Sequence, residues 1–584
     1  MQINLHQTHH LLADFQGIED YLKDLFNHPE TRGLHIFPEL FLTGYPLLDL
    51  CLQQSFIDRY QKHLGSLQHW AQKEWQSKQS IALLVGGIAY DFDGQGLVKA
   101  LKNVVYEIRP GQEFKIVATK KLLPNYDIFD EEKYFAPGNE TQIYEFEGKK
   151  LGLLICEDMW TSSHHDVDPV KELYQFCEAQ KTKLDGIINL SASPYFLGKL
   201  EKRLKRASEI STLFGSPMVY VNRVGGEDEV LFDGQSFVIS GDKVVLQAKA
   251  FKSQIASLEL PETFSSSSNP SAILKEPENT WEDLFKTNWQ ITKSLPKLHP
   301  LSDADCKDLL KALIFGLQEY TQKSGHKKFS VALSGGIDSS LVLAIAKLSM
   351  QEEQEIEAIF MPGFYSATQS YDDSATLCKN LNIRLRNLSI KFFHSSIKNA
   401  FKESFNEEMQ GLADENIQSR LRGTLLYARS NQWNSLVINT SNKSEIAVGY
   451  STLYGDSVGA ISLLGDLYKT EVFQLAEYIN KTYNDLIPRA ILTREPTAEL
   501  RENQSDSQSL PPYERLDAIL EGFLSYRMSE REILGHGFDP LEVKKVYGLY
   551  QKSEYKRKQF CPIIKVKPKS FGFGYRVPIS KKMD

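Results

Sequence analysis

Residues 334–340 read SGGIDSS, which sets paired glycines and an acid among three hydroxyl side chains. Glycine lets backbone N–H groups approach an anion closely, and a helix N-terminus behind such a turn adds its dipole, so the chemistry to expect is phosphate binding. The apolar FSVAL before the turn and the helical pattern SSLVLAIAKLSM after it supply a strand, a loop and a helix in that order. A Walker A loop, GxxxxGK[ST], carries a lysine for the β- and γ-phosphates. No lysine stands in this turn. A loop that wraps the pyrophosphate end of ATP instead leaves the α-phosphorus open to attack. Ser334, Ser339 and Ser340 would then donate hydroxyls and Asp338 would position magnesium, which is adenylation chemistry.

Three stretches of the first half place reactive groups at the ends of apolar runs: Glu39 in FPELFLTGYP, Lys120 in ATKKLLPNYDIFDEEKYF and Cys156 in LGLLICEDMW. A thiolate attacks an amide carbon, a nearby ammonium lowers the thiol pKa, and a carboxylate relays protons. Together the three groups make an amidase. Singly, they also fit a strand end, a solvated lysine and a buried small hydrophobe.

The elements that must position these groups fall into two blocks. At 584 residues the chain exceeds one hydrophobic core. By composition the break falls at LPETFSSSSNPSAILKEPENTW, residues 260–281, where Ser, Pro and Asn replace any apolar period. The expected division is a first domain over 1–260, a linker over 261–298 and a second domain over 299–584. Before the linker, short β-like runs alternate with helical stretches such as GKLEKRLKRASEISTLF; after it, βα alternation runs through EIEAIFMPG and SLVINTS, as a doubly wound parallel sheet requires. Residues 494–512, REPTAELRENQSDSQSLPP, read as a lid or surface loop.

A net charge of −8 argues against a nucleic-acid or membrane surface, since neutralising phosphates needs a basic face. Six scattered cysteines without a CxxC pair read as reduced thiols, hence a cytoplasmic protein without structural zinc. No leader pattern or apolar run near ~18 residues is present.

The turn SGGIDSS resembles the pyrophosphate loop of the ATP pyrophosphatases. PELFLTGY, KKLLPNY and CEDMW, in that order, resemble the nitrilase, or carbon–nitrogen hydrolase, family and its glutaminase branch. The likeness runs from QINLHQ to NRVGGEDEVLFDGQSFV and implies an α-β-β-α sandwich. It further implies Glu39 as general base, Lys120 as charge and oxyanion stabiliser, and Cys156 as the nucleophile that forms a glutamyl thioester. The K-x-x-L-P spacing selects Lys120 over Lys121. Tyr126, Ser193 and Lys199 match glutamine-binding positions; for the last two, a strand-end hydroxyl and a helix-surface lysine stand as equal readings.

DENIQSRLRGTLLYARSN, MPGFYSATQSYDDS, LLGDLYKTEVF, SEYKRKQF and above all NKSE followed by GYSTLYGD resemble the NAD synthetase family across the second half. That resemblance assigns ATP to Leu333, Ser334, Gly335, Gly336, Ile337, Asp338, Ser339, Ser340 and Thr440. It assigns magnesium to Asp338 and Glu445, and deamido-NAD to Asn416, Glu445, Tyr450, Ser451, Thr452, Leu453 and Lys556. Lys469 either holds phosphates or lies on a helix surface. The chain departs from the family pattern at EPTAEL, where PPSAEL is usual, and at Ser419, where alanine often stands.

The expected activity is conversion of deamido-NAD, ATP and glutamine into NAD, AMP, pyrophosphate and glutamate, with ammonia passing between the sites inside the protein. The expected partners are these small-molecule substrates, with no nucleic acid and no membrane, and the resemblance implies a homo-oligomer. Two other readings are an amidotransferase acting on a different acid or on a nucleotide, and a non-catalytic nucleotide sensor. The presence of Glu39, Lys120, Cys156, Asp338 and Glu445 argues against the sensor.

Overall fold

The strand Lys149–Ile155 shows how the first half is layered. Leu151, Leu153 and Ile155 face a core shared with a second sheet, while Leu154 packs among helix residues on the other side. This is the two-residue period of a strand buried on both faces. The computed structural model describes residues 1–28, 31–75, 80–160, 166–264, 289–292, 295–502 and 504–582. The linker expected at 261–298 lies largely outside them.

One six-stranded sheet runs, in spatial order, Gln254–Glu259, Gln2–Gln7, Gly33–Ile36, Ile81–Phe92, Val98–Ile108 and Lys115–Thr119. The other runs Lys243–Gln247, Phe237–Ser240, Met218–Asn222, Gly186–Ser191, Lys149–Ile155 and Ile143–Phe146. In each, parallel pairs at the centre are flanked by antiparallel ones. Ile3, Leu5, Leu34, Ile36 and Leu84 of one sheet meet Leu151, Ile155, Ile188, Leu190 and Val219 of the other. The helices Pro169–Ala179 and Lys199–Phe214 cover the outer face of the second sheet through Leu173, Cys177, Ala207 and Ile210. Phe15–Phe26 and Gln54–His69 pair beside the first through Phe15, Phe56 and Tyr60. The α-β-β-α sandwich is thus present. The run GLHIFPELF is strand only over Gly33–Ile36, because Pro38 removes a ladder donor and the chain turns there to present Glu39.

The second half is built on a five-stranded sheet in the order Arg384–Asn387, Glu355–Phe360, Lys328–Ala332, Leu436–Asn439 and Ile461–Ser462. All of its pairings are parallel. Chain order reverses at Lys328–Ala332, and the crevice beyond the strand ends at such a reversal is where doubly wound sheets bind ligands. The helix Asp303–Ser324 is started by a capping box of Ser302 and Asp305 and stopped by Gly325 in the left-handed region. The helix after the SGGIDSS turn begins at Ile337, within the motif, and ends at Ser349. Cα proximity divides the chain into two units. One holds Met1–Glu227 and the chain from Leu231 up to the undescribed stretch 265–288; the other holds Asp228–Val230 and the described residues after that stretch. No helix of the described residues is long and apolar enough to cross a membrane.

Candidate active sites

In the first unit Glu39, Lys120 and Cys156 each stand just past the end of a strand. The turn bearing Glu39 seats directly on Gly86, where a Cβ would lie 2.4 Å from the Pro38 carbonyl, so only glycine permits that approach. Lys120 Nζ donates to Glu39 Oε1 at 2.6 Å and to both oxygens of Glu131 at 2.9 and 2.8 Å. Asn103 Nδ2 donates to Glu39 Oε1 at 2.8 Å, and the Ala192 N–H to Oε2 at 2.9 Å. Cys156 opens a short turn with φ of 46°, a strained left-handed conformation for a non-glycine residue. The Asn189 side chain holds that turn, accepting from the Cys156 N–H at 2.8 Å and donating to its carbonyl at 3.3 Å.

Burial pushes the Cys156 thiol well above its ordinary range, and Glu39 adds to this more than Lys120 relieves it. The Lys120 ammonium pulls the thiol down, but burial and Glu39 outweigh it. Burial works against the Lys120 ammonium, but Glu131 and Glu39 overrule it and hold the proton firmly. Burial raises Glu131 as well. At rest Cys156 is therefore a neutral thiol whose surroundings include the Glu39 carboxylate. Lys121 lies apart, paired with Glu172 at 2.5 Å.

Tyr126 donates to Glu157 at 3.0 Å. Ser193 is buried, and its hydroxyl and carbonyl both accept from Arg203, which is itself buried and bound to both oxygens of Asp233. Lys199 begins its helix with Nζ 4.7 Å above the Trp160 ring and 5.0 Å above Phe196. Burial, then Arg203, lowers its pKa to about 8. Sequence reasoning missed Glu131, Asn103 and Arg203. Asn103 had a legible signal, as a polar residue in line with the inward Leu101 and Val105 of its strand; Glu131 stood hidden among neighbouring acids.

In the second unit the strand Lys328–Ala332 runs into the pyrophosphate turn, whose Gly335 has φ of 82° and would carry a Cβ 2.5 Å from the Ser370 carbonyl. A cavity of about 260 Å³ opens there. Leu333, Ser334, Gly335, Gly336, Ile337, Asp338 and Ser339 line it, together with Thr440, Glu445, Tyr450 and Lys469. Ser340 stands behind the wall, its hydroxyl donating to the Gly336 carbonyl at 2.8 Å. The remaining assigned residues form an adjoining cluster. Thr452 donates to Asn416 at 2.8 Å, Arg420 donates to the Leu453 carbonyl at 3.2 Å, and Lys556 Nζ holds the carbonyls of Gly449 and Ser451 at 2.7 and 2.6 Å.

Lys469 is no surface lysine: it is buried, 2.5 Å from Asp338 and 3.4 Å from Glu445. Asn442 donates to Asp338 at 2.8 Å and caps the helix Lys443–Val448 that bears Glu445. Burial pushes Glu445 up, and Asp338 and Asp506 push it further against the pull of Lys469. The loop 494–512 supplies wall from Arg494 to Leu500 and at Asp506, anchored by Glu499 on the Ala367 N–H and the Ser370 hydroxyl. Asp338, Glu445, Asp456, Glu495, Glu499 and Asp506 line the cavity against Lys469, Arg422 and Arg494. A triphosphate entering so acidic a wall needs added cations, and the hard carboxylate oxygens of Asp338 and Glu445 suit magnesium.

Residues 4–164 match the carbon–nitrogen hydrolase family and residues 309–560 the NAD synthase family. A glutamine-dependent NAD(+) synthetase of Synechocystis sp. is 38% identical over 94% of this chain and 93% of its own length. One from Thermotoga maritima is 35% identical over 100% and 99%. Among solved structures, a glutamine-dependent NAD+ synthetase from Acinetobacter baumannii in complex with adenosine diphosphate superposes with a TM-score of 0.69 at 31% identity, over 99% of this chain and 98% of that one.

Proposed function

This chain belongs to the glutamine-dependent NAD(+) synthetases, and from that premise we propose that it joins thioester-mediated glutamine hydrolysis to adenylation of deamido-NAD. In the first unit Glu39 takes the Cys156 proton as Sγ bonds to the side-chain amide carbon of glutamine. Lys120 faces the charge that develops on the carbonyl oxygen. The C–N bond then breaks, Glu39 returns the proton to the leaving nitrogen, and ammonia departs from a glutamyl thioester. Water activated by Glu39 hydrolyses that thioester to glutamate. Tyr126, Ser193 and Lys199 bind the glutamine, the ammonium of Lys199 meeting its α-carboxylate.

In the second unit a carboxylate oxygen of the nicotinate ring bonds to the α-phosphorus of ATP while the α–β bridge breaks and its electron pair leaves with pyrophosphate. Backbone and hydroxyl groups of Leu333 to Ser339 hold that leaving group, and Thr440 contacts the nucleotide. Magnesium held by Asp338 and Glu445 would neutralise charge on the departing phosphates. Asn416, Tyr450 to Leu453 and Lys556 seat the dinucleotide. Ammonia then displaces AMP from the acyl carbon, giving the amide. On this reading the enzyme is a cytoplasmic homo-oligomer.

The observation that carries the reading is that the lysine-free turn and the Asp338, Lys469, Glu445 group line one cavity at the switch point of the parallel sheet. Cys156→Ala tests the division of labour. It should abolish NAD formation from glutamine and leave formation from ammonium at the wild-type rate; an undiminished glutamine rate would assign the attack to another residue.

A further inference from the structure

Three cationic side chains line the second cavity, and two of them have carboxylate partners. Lys469 pairs with Asp338 and Glu445, and Arg494 with Glu499 at 2.8 Å. Arg422 is different. Its Nε donates to the Met361 carbonyl at 2.9 Å, and among the described residues no carboxylate lies within ion-pair distance of its guanidinium. Asp456 and Glu499 act on it only through longer-range attraction, and burial disfavours its charge. Arg422 is part-buried, and a guanidinium without a carboxylate partner there carries a desolvation cost that no neighbouring anion offsets. Such a group is kept where an anionic ligand completes it.

Its placement says which anion. Arg422 lies on the helix Leu412–Trp433, whose face with Ser419, Gly423 and Leu426 forms cavity wall. On one flank its Nε reaches the chain just past Glu355–Phe360, the strand beside the one that feeds the pyrophosphate turn. A Cβ at Gly363 would lie 3.2 Å from Nη2, so glycine there leaves the fork room. On the other flank the same helix face holds the loop assigned to the dinucleotide. Ser419 Oγ accepts from the Asp456 N–H at 2.9 Å, and a Cβ at Gly423 would meet the Tyr454 carbonyl at 2.7 Å.

We infer that Arg422 is a catalytic residue of the adenylation step, its guanidinium binding the non-bridging oxygens of the ATP α-phosphoryl group while the acid bonds to that phosphorus. This rests on the adenylation reading above. As the carboxylate oxygen bonds to phosphorus and the bridge to pyrophosphate breaks, charge gathers on the equatorial oxygens, and no proton is transferred. A planar fork of N–H donors matches two such oxygens better than a lysine point charge does. A donor aimed at charge that develops only in the transition state acts mainly on kcat.

The test uses the full chain with ammonium as nitrogen source, so that glutamine hydrolysis is not needed, and follows pyrophosphate release and NAD. Arg422→Gln and Arg422→Lys are compared with wild type, and MgATP binding to each is measured by calorimetry. The expected result is a kcat lower by about 100-fold in both variants, with the MgATP dissociation constant changed less than about tenfold. Wild-type kcat in Arg422→Gln would overturn the inference. So would full recovery in Arg422→Lys, or loss of MgATP binding in parallel with kcat, which would make the residue a structural or ground-state contact. Failure of the underlying reading has a separate signature: wild-type enzyme that makes NAD without releasing pyrophosphate.

Discussion

Glu39 is held by three donors, from Lys120, Asn103 and Ala192, and its charge acts on a thiol that burial keeps protonated; as the proposed base it would take that proton. Glu39→Gln should therefore lower glutamine-driven kcat by about 100-fold or more. Glu131→Gln, which removes the charge that Lys120 and the Tyr45 hydroxyl bind, should cost less; a reversed ranking in steady-state assays would move the base to Glu131. Lys199 sets a pH dependence. Its pKa is lowered to about 8, so the ammonium proposed to meet the glutamine carboxylate is present below that pH and lost as pH rises through it. The KM for glutamine should climb above pH 8, and Lys199→Met should show a high KM that is flat across the same range. A KM independent of pH in the wild type would remove Lys199 from the glutamine site. Glu39, Lys120 and Cys156 could be proposed from sequence because each carries its chemistry in its own type. Glu131 and Arg422 could not, since an acid among acids and an arginine on a helix acquire meaning only from what the fold sets against them.

At the scale of elements, the pyrophosphate turn depends on backbone that only glycine can supply. Gly335→Ala would place a methyl against the Ser370 carbonyl at a positive φ, forcing the turn open. ATP-dependent NAD formation should then fall to background with either nitrogen source, while glutamine hydrolysis persists. A variant with normal ammonium-driven synthesis would show that the turn does not grip the leaving group. Asn442 links local capping to the site, since its side chain caps the Glu445 helix and steadies Asp338. Asn442→Ala should lower the stability of the second unit by about 1 kcal/mol, the ordinary value of an N-cap, read from the shift in its denaturant midpoint. The strands and helices around these turns were readable from apolar period and glycine placement. The turn at Cys156 was not, because it is held by the Asn189 side chain of the neighbouring strand.

For the molecule as a whole, the doubly wound sheet followed from pattern and the α-β-β-α sandwich from the family resemblance, while the division into two chemistries followed from motifs that fall in separate units. One chain carries both because ammonia reacts only as its free base, which neutral water largely protonates. The central claim is that the second unit makes a mixed anhydride with AMP, and the nucleotide products report on it directly. Phosphorus-31 NMR of a reaction with ATP, deamido-NAD and glutamine should show AMP and pyrophosphate forming in equal amounts with NAD. ADP and orthophosphate appearing in step with NAD would contradict the account.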